Sequence, residues 1–240
     1  MMDKDKEEIR AIRELVDILN SQQVKWWIDH GTLLGFVREG KPIDWDKDFD
    51  IGTSISAEEV IEKILPLVKK AGYASFFDDS CDALKIELKS RTCDWTVDIA
   101  CYAKIDSQMI KRWPELTALP LPRFIVFMVM NFLSGGIQEI NNPILRSIYR
   151  GILFICYPMI AFTSRNFRRR INIKLKKYIP LKINSVASMF FEEFSQCNYA
   201  GIILNQPKMA EEYLRLRYGD DWQTPKKDWN YLQDDGGIKK

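Results

Sequence analysis

Apolar residues recur at helical spacing in four stretches of the chain, which predicts four helices packed on a hydrophobic core. These helices are expected over residues 5–20, 57–71, 185–197 and 207–217. The second has the clearest boundaries, because Ser56 and Glu59 follow the capping-box pattern and Gly72 comes directly after its end. Pro66 is expected to kink this helix or to end it early.

Alternating apolar and polar residues predict strands in the first half of the chain. The strands are expected over residues 24–28, 44–53, 83–88 and 92–102, whereas residues 105–119 are expected to be irregular or helical. In the second strand, aspartates fall at every second position and share one face, with Trp45 on the opposite face toward the core. The aspartates are Asp44, Asp46, Asp48 and Asp50. Four like charges on one face predict that a cation lies among them.

Two apolar runs, at residues 124–133 and 152–162, are each predicted to form a buried or interfacial helix. Both are well short of the roughly 20 residues that a membrane-spanning helix needs. A basic tract follows at residues 164–178, and the whole segment 116–191 has eleven basic residues against one acid, Glu139. This charge predicts a polyanionic partner or an anionic membrane surface for the segment, with an ordinary solvated face as the open alternative.

The composition is that of a globular protein, with 46% hydrophobic and 28% charged residues in 240 and a net charge of +2. Five cysteines without a CxxC pair, and a start that is charged from its third residue, favour reduced thiols and a cytoplasmic location. A His-rich zinc site is excluded because His30 is the only histidine. We expect His30 to hydrogen-bond a loop, and we expect the tail at residues 234–240 to be frayed.

The residues suited to chemistry are a turn and three carboxylates. Gly31 and Thr32 form a turn before a short helix at residues 32–38, where free backbone N–H groups can bind a phosphate. Asp48 and Asp50 share a strand face, and Asp98 lies in the apolar stretch Val-Asp-Ile-Ala, where a lone carboxylate needs a partner. Carboxylate oxygens are the ligands that Mg²⁺ prefers. These parts suit the transfer of a phosphoryl-linked group.

Two longer stretches resemble a known family. The stretches WIDHGTLLGFVR (residues 27–38) and IDWDKDFDIG (residues 43–52) are similar to the signature of the LicD phosphocholine transferases. This family is similar to the fukutin-related ribitol-phosphate transferases and lies within the nucleotidyltransferase-fold superfamily. The stretch RYGDDWQTP, at residues 217–225, resembles the closing motif of the family.

The resemblance implies roles for particular residues. It implies that Gly31 and Thr32 bind the nucleotide, and that Arg38 and Asp46 contact phosphate and metal. It also implies that Mg²⁺ or Mn²⁺ is held by the catalytic carboxylates Asp48, Asp50 and Asp98. The sequence departs from the usual family pattern Pro-Trp-Asp-Asp-Asp, reading Asp-Trp-Asp-Lys-Asp at residues 44–48.

The implied fold is α+β, a polymerase-beta-like nucleotidyltransferase fold with a small mixed sheet, followed by a helical middle and C-terminal region. The catalytic core is expected at residues 1–105, and the helical region, with its basic segment, at residues 106–240. The implied reaction moves phosphocholine or a similar group from a CDP-activated alcohol such as CDP-choline onto a glycan. The acceptor would be a lipid-linked or cell-surface sugar at the inner face of the cell membrane, and no nucleic acid is expected as a partner.

Two other functions remain open from the sequence. The same carboxylates suit a nucleotidyltransferase that moves a nucleoside monophosphate onto a small molecule, a sugar or a protein. The chain is otherwise a non-catalytic homologue that binds a glycan or a lipid.

Overall fold

The computed structural model describes residues 3–89, 94–115, 120–134, 147, 150, 151, 154, 157, 158, 162–231 and 233–238. The helices are α1 (Asp3–Ser21), α2 (His30–Glu39), α3 (Ala57–Glu59), α4 (Leu65–Lys70), α5 (Leu121–Ser134), α6 (Arg165–Lys176) and α7 (Ala210–Tyr218). The strands are β1 (Trp26–Ile28), β2 (Asp48–Thr53), β3 (Ala74–Asp78), β4 (Ala83–Lys89), β5 (Asp94–Cys101), β6 (Ala103–Ile105), β7 (Gln108–Pro114), β8 (Leu181–Ala187), β9 (Phe194–Tyr199) and β10 (Ile202–Pro207). A π-helical turn, Val60–Ile64, joins α3 to α4, and Ser188–Phe191 form a 3-10 helix.

The main sheet has five strands in the order β1-β2-β5-β4-β3. Strands β2 and β5 run parallel, and the other neighbours are antiparallel. The expected α+β class with a small mixed sheet is therefore confirmed. Apolar side chains of β2 and β5 point into the core, so their aspartates project from the opposite face of the sheet.

One hydrophobic core packs α1, α2, the main sheet and α7 together. Helix α1 buries Ile12, Leu15 and Leu19 at helical spacing, as its sequence predicts. Trp27 is fully buried and stacks on Phe191 at a centroid distance of 4.4 Å. Burying a large apolar side chain of this kind contributes about 1.5–3 kcal/mol.

The capping prediction at Ser56 is confirmed. The Ser56 hydroxyl accepts a hydrogen bond from the Glu59 N–H at 3.2 Å, and Glu59 accepts one from the Ser56 N–H at 3.1 Å. The helix predicted over residues 57–71 is interrupted by the π-helical turn, which directly precedes Leu65-Pro66. Proline cannot donate a backbone hydrogen bond, and the wider π-helical turn before Pro66 accommodates the residue without ending the helix.

Two predictions about secondary structure are wrong. Residues 105–119 were expected to be irregular or helical, but β6 and β7 form a three-stranded antiparallel sheet with β8. Residues 185–197 were expected to be a helix, but they run from β8 through the 3-10 helix into β9. Phe190, Phe191 and Phe194 have helical spacing in the sequence, yet pairing of β8 with β7 and of β9 with β10 outweighs that local pattern.

The acidic strand begins later than predicted. Strand β2 starts at Asp48, while residues 44–47 lie outside it in a turn. Trp45 consequently does not point into the core, and 44% of its surface is exposed. Only Lys47 of this segment bonds to a neighbouring strand of the described chain, by accepting a hydrogen bond from the Thr96 N–H at 3.0 Å. The alternation of residues 44–46 therefore does not determine which way their side chains point.

The tail was expected to be frayed at residues 234–240, but its described part, residues 234–238, packs against the protein. Asp235 is 4% exposed and accepts hydrogen bonds from the buried Arg217 guanidinium. Ile238 forms a β-bridge with Asn184 of β8. A buried charge needs an opposite charge nearby, so the tail is fixed by its pairing with α7.

Between β7 and β8 the described residues are mainly helical, but the region expected to be helical, residues 106–240, also contains strands β7 to β10. Helix α5 matches the first apolar run, and α6 covers most of the basic tract; the predicted helix at 152–162 lies largely outside the described residues. No helix in the described part of the chain is long and apolar enough to cross a bilayer. Cys81, Cys101 and Cys197 are free thiols, whereas Cys93 and Cys156 lie outside the described residues. The proposed boundary near residue 105 stays a prediction.

Candidate active site

The N-terminus of α2 rests on a buried carboxylate. Asp29 caps the helix by accepting a hydrogen bond from the His30 N–H at 2.8 Å. Its carboxylate also accepts hydrogen bonds from the hydroxyls of Tyr102 at 2.7 Å and Tyr213 at 2.8 Å, and Arg217 Nη1 lies 3.6 Å away. Burial alone would raise the pKa of Asp29, but the charge of Arg217, the Tyr102 hydrogen bond and the charge of Lys111 hold it well below its usual range.

His30 is buried beside this carboxylate and has a left-handed backbone conformation, with φ of +46°. Its Nε2 lies 3.2 Å from Lys111 Nζ and 3.4 Å from the Tyr102 hydroxyl. Burial, followed by the charge of Arg217, lowers the pKa of His30 well below its usual range. The side chain is therefore a neutral imidazole near pH 7, and it lines a cavity over the acidic strands.

Three adjacent strands place Asp50, Asp98 and Lys85 in one row. Asp50 of β2 pairs with Asp98 of β5, and Asp98 pairs with Lys85 of β4. In the next row Asp48 pairs with Thr96, whose hydroxyl donates a hydrogen bond to the Asp48 carboxylate at 2.5 Å. The predicted carboxylate triad thus lies on one face of two neighbouring parallel strands.

Two lysines supply positive charge to this acidic face. Lys85 Nζ contacts Asp98 Oδ2, whereas Asp98 Oδ1 is buried without a hydrogen-bond partner among the described residues. Lys111 is 1% exposed, and its Nζ lies 3.6 Å above the Trp113 ring. Two lysines thus lie beside the acidic face, one of them in contact with Asp98, and a metal ion among the aspartates stays a prediction.

The charges alter one another's titration. Burial raises the pKa of Asp50 well above its usual range, and the adjacent Asp98 raises it further. Burial lowers the pKa of Lys111 to about 8, against the opposing effect of Asp50. Burial also disfavours the charged form of Lys85, but the Asp98 carboxylate outweighs it and raises the pKa of Lys85. Perturbed groups clustered in a cleft are typical of a functional site.

A cavity of about 490 Å³ opens over the acidic face. Its floor includes Asp46, Asp48, Asp50 and Asp98, and Gly31 and Arg38 lie on the side formed by α2. Much of the remaining wall is aromatic: Trp45, Trp113, Tyr218, Trp222, Trp229 and Tyr231. This volume is in the range of small-molecule sites in proteins.

The structure separates the predicted site residues into two groups. Gly31, Arg38, Asp46, Asp48, Asp50 and Asp98 all line the cavity. Thr32 does not line it, because the Thr32 side chain is buried and its hydroxyl accepts a hydrogen bond from the Asp50 N–H at 2.7 Å. The Arg38 guanidinium donates to Glu39 at 2.9 Å from Nε. Asp44 lies on the surface in an ion pair with Lys41.

Gly31 allows the turn and the acidic face to approach closely. A Cβ atom at this position would lie 2.5 Å from Asp46 Oδ2, which is too close for any other residue without movement of Asp46. The pKa of Asp46 is raised by burial and by the charge of Asp48. Gly31 thus leaves the first turn of α2 open to the cavity.

The donor set suits a hard divalent cation. All three predicted ligands are carboxylates, and the partnerless Oδ1 of Asp98 is a buried acceptor of the kind that a metal satisfies. Among the described residues, no three His, Cys, Asp or Glu side chains are already arranged around a common point for a metal. Lys85 holds the other oxygen of Asp98 in this arrangement.

Several cavity residues were missed by the sequence reasoning. Lys85 lines the cavity, and Lys111 is buried behind it with its Nζ 3.2 Å from His30 Nε2. Both strands contain further charged residues, so neither lysine stands out in the sequence. The aromatic wall from residues 218–231 follows the closing motif, but only the folded chain brings it opposite β2. Arg217 was quoted as part of that motif, and the structure places it 0% exposed below the cavity as the partner of Asp29 and Asp235.

The small mixed sheet and its acidic face agree with the resemblance found in the sequence. Residues 23–123 match the family model described as LicD/FKTN/FKRP, nucleotidyltransferase domain. The likeness of this part of the chain to the LicD family and to the fukutin-related transferases is thereby confirmed.

Curated relatives match shorter segments. An uncharacterised protein of Rickettsia prowazekii is 32% identical over 76 residues, which are 32% of this chain and 29% of that protein. The ribitol 5-phosphate transferase FKRP of Homo sapiens is 42% identical over 48 residues, which are 18% of this chain and 10% of FKRP. The chain thus spans less than a third of the length of these relatives.

The antibiotic-resistance factor ANT(2'')-Ia is similar among solved structures. Its solution structure matches at 13% identity and a TM-score of 0.34, covering 74% of this chain and 98% of that one. Its crystal structure in complex with adenylyl-2''-tobramycin matches at 11% identity and a TM-score of 0.32, covering 71% and 97%. With TM-scores this low, the fold assignment rests on the sheet topology and the family model.

Proposed function

We propose that the protein transfers a phospho-alcohol, such as phosphocholine or ribitol phosphate, from a CDP-activated donor to a hydroxyl group of a glycan. The observation that carries this proposal is the pairing of Asp50 with Asp98 on parallel strands, with Asp48 on the same face, at the floor of a ligand-sized cavity. A buried pair of carboxylates is costly unless it has a function or a cation.

The donor's phosphates bind where α2 meets the cavity. The first turn of α2 has backbone N–H groups without partners within the helix, and its dipole favours an anion. Gly31 has no side chain to obstruct this turn, and Arg38 lies on the same wall. Thr32 positions Asp50 through its hydrogen bond and does not itself contact the donor.

Asp48, Asp50 and Asp98 would hold Mg²⁺ or Mn²⁺, which would supply positive charge to the phosphates during transfer. In the absence of a metal, Lys85 neutralises Asp98. Asp50, which lies on the cavity floor beside Asp98, would accept the proton of the attacking hydroxyl while that oxygen bonds to phosphorus and CMP leaves.

The aromatic wall provides the surface for the uncharged and cationic parts of the donor. Flat rings such as Trp45 and Trp229 suit stacking on a cytosine base, and their electron-rich faces also attract a quaternary ammonium group. Lys227 Nζ already lies 5.0 Å from the Trp45 ring centroid. The wall is therefore compatible with a cation above this tryptophan.

A transfer assay with the donor labelled in either half tests the proposal. CDP-choline, CDP-ribitol and CDP-glycerol are each supplied with label in the cytidine or in the alcohol, together with Mg²⁺ and a panel of glycan acceptors. We expect alcohol label on the acceptor and cytidine label in released CMP. Cytidine label on the acceptor would instead establish nucleotidyl transfer, and full activity of an Asp48→Asn variant would refute the assignment of the carboxylates.

A further inference from the structure

Helix α6 divides its side chains between an inward, anchored face and an outward, exposed face. The inward face is held by polar contacts: Asn172, fully buried, donates a hydrogen bond to Asp79 at 2.8 Å. Arg169 pairs with Glu58 at 2.7 Å, and Lys176 pairs with Asp82 at 2.8 Å. Two basic residues of the tract, Arg169 and Lys176, are thus paired with acidic residues of the protein itself.

The outward face carries a different set of residues. Its members are exposed and recur at spacings of three and four residues along one side of the helix. They are Phe167, Arg170, Ile173, Lys174 and Lys177. Phe167 is 50% exposed and Ile173 is 54% exposed. In the described part of the chain, no acidic side chain pairs with the three basic residues of this face.

From this division we infer that the outward face of α6 docks the protein on a bilayer surface rich in anionic lipids. The face combines three basic residues with two large apolar ones, which is the composition of a helix lying in the interface between headgroups and acyl chains. Lysine and arginine extend to the headgroups while aromatic and aliphatic side chains enter the boundary below them.

The apolar residues favour a membrane over a dissolved polyanion. A soluble anionic polymer would be bound by the charges alone and would leave Phe167 and Ile173 in water. Exposed aromatic residues also occur just before α6, where Phe154 is 85% exposed and Phe162 is 89% exposed. Tyr178, directly after the helix, is 52% exposed. Large apolar side chains beside basic ones on one surface match the chemistry of an anionic bilayer.

The anchored face fixes this docking surface relative to the cavity. Asp79 and Asp82, which hold α6, lie between β3 and β4, and β4 carries Lys85 in the acidic row. A membrane-bound α6 would therefore hold the acidic strands at a set distance from the lipid surface. This suits an acceptor that is itself attached to a lipid, although the docking surface does not depend on the proposed reaction.

Vesicle co-sedimentation of the full chain tests the inference. The vesicles contain phosphatidylcholine alone or phosphatidylcholine with one third phosphatidylglycerol, and the variant is R170E/K174E/K177E. We expect wild type to bind the anionic vesicles, more weakly as salt rises, and not to bind the neutral ones. The variant should partition roughly 1,000-fold or more weakly, since the three reversals change the charge by six units at roughly fivefold per unit.

A matched control is K63E/K70E/K104E, which changes the net charge equally at exposed lysines outside α6. This control should bind anionic vesicles like wild type, and a second variant, F167S/I173S, should bind them less well while keeping its salt dependence. Equal binding by wild type and R170E/K174E/K177E would overturn the inference. So would binding of wild type to dissolved polyphosphate but not to the vesicles, or equal losses in the variant and the control.

Discussion

Asp50 and Asp98 occupy directly paired positions on the parallel strands β2 and β5, and Lys85 extends the row onto β4. Two partly buried carboxylates are thus adjacent, and the lysine contacts only one of them. Like charges in such a position raise the free energy of the folded chain unless a proton or a cation is bound. The row therefore links the stability of the domain to the ligand that it binds.

Replacing Lys85 by methionine tests this link. Without Lys85, Asp98 becomes a buried charge with no cation beside it, and the free energy of unfolding should fall by roughly 3 kcal/mol. Addition of millimolar Mg²⁺ should then raise the melting temperature of K85M more than that of wild type. Thermal unfolding with and without Mg²⁺ measures both effects, and an identical Mg²⁺ response in the two proteins would count against a metal at Asp98.

Gly31→Ala should weaken donor binding with little effect on stability. The new Cβ atom would lie 2.5 Å from Asp46 Oδ2 and on the side of the turn that faces the cavity. Because a carboxylate side chain can move aside, we expect a stability loss below about 1 kcal/mol. Affinity for a CDP-alcohol should fall about tenfold or more, as measured by calorimetry.

The double variant G31A/D46A separates two causes of that loss. Removing the Asp46 carboxylate relieves the clash, but the Cβ atom still obstructs the phosphate at the helix N-terminus. Donor binding should therefore remain weak in the double variant. Recovery of wild-type affinity would mean that Gly31 serves Asp46 alone and that the phosphate lies elsewhere.

Arg217 and Asp235 should be essential for stability, although each lies in the C-terminal part of the chain. Asp235→Asn leaves the buried Arg217 guanidinium with Asp29 but without its nearer carboxylate, so the free energy of unfolding should fall by about 3 kcal/mol. Urea denaturation measures this loss. Arg215→Ala is the control, since Arg215 is exposed on the same helix and its removal should cost less than about 0.5 kcal/mol. Similar stability of both variants would contradict the buried pair.

His30 should make stability depend on pH in a defined window. Burial and Arg217 lower the pKa of His30 in the folded state, so below pH 6.5 the unfolded chain binds a proton that the folded chain does not. Stability conferred by neutral His30 is consequently lost as pH falls below about 6.5, with a slope approaching 1.4 kcal/mol per pH unit. Urea denaturation of wild type and H30N between pH 5 and 7.5 isolates this slope, because His30 is the only histidine. The same dependence of the free energy of unfolding on pH in wild type and H30N would refute this prediction.

Local patterns predicted much of the site, whereas long-range pairing did not show in the sequence. The turn at Gly31, the strand face with Asp48 and Asp50, and the capping box at Ser56 all depend on neighbours within a few residues. By contrast, Asp235 is ordered by Arg217, and β8 is a strand because it pairs with β7, more than 60 residues earlier along the chain. Trp45 followed the alternation in sequence but lies in a turn, where alternation does not determine which way a side chain points.

The sequence also did not reveal that its first and last motifs meet in the folded chain. Asp29, before α2, and Arg217, in α7, meet through the Tyr213 hydroxyl, which accepts from Arg217 at 2.8 Å and donates to Asp29 at 2.8 Å. The sequence contains both motifs but no signal that they share a buried contact. That contact explains why the closing motif contributes a wall of the cavity.

The most direct test of the account is Mg²⁺-dependent donor binding by wild type, D98N and D44N, measured by isothermal titration with CDP-choline and CDP-ribitol. D44N is the matched control, because Asp44 lies in the same acidic stretch but pairs with Lys41 on the surface. We predict that wild type and D44N bind a donor equally and only with Mg²⁺, and that D98N binds it at least about 100-fold more weakly. Equal donor affinity of D98N and wild type in the presence of Mg²⁺ would contradict the central role of the Asp50–Asp98 pair.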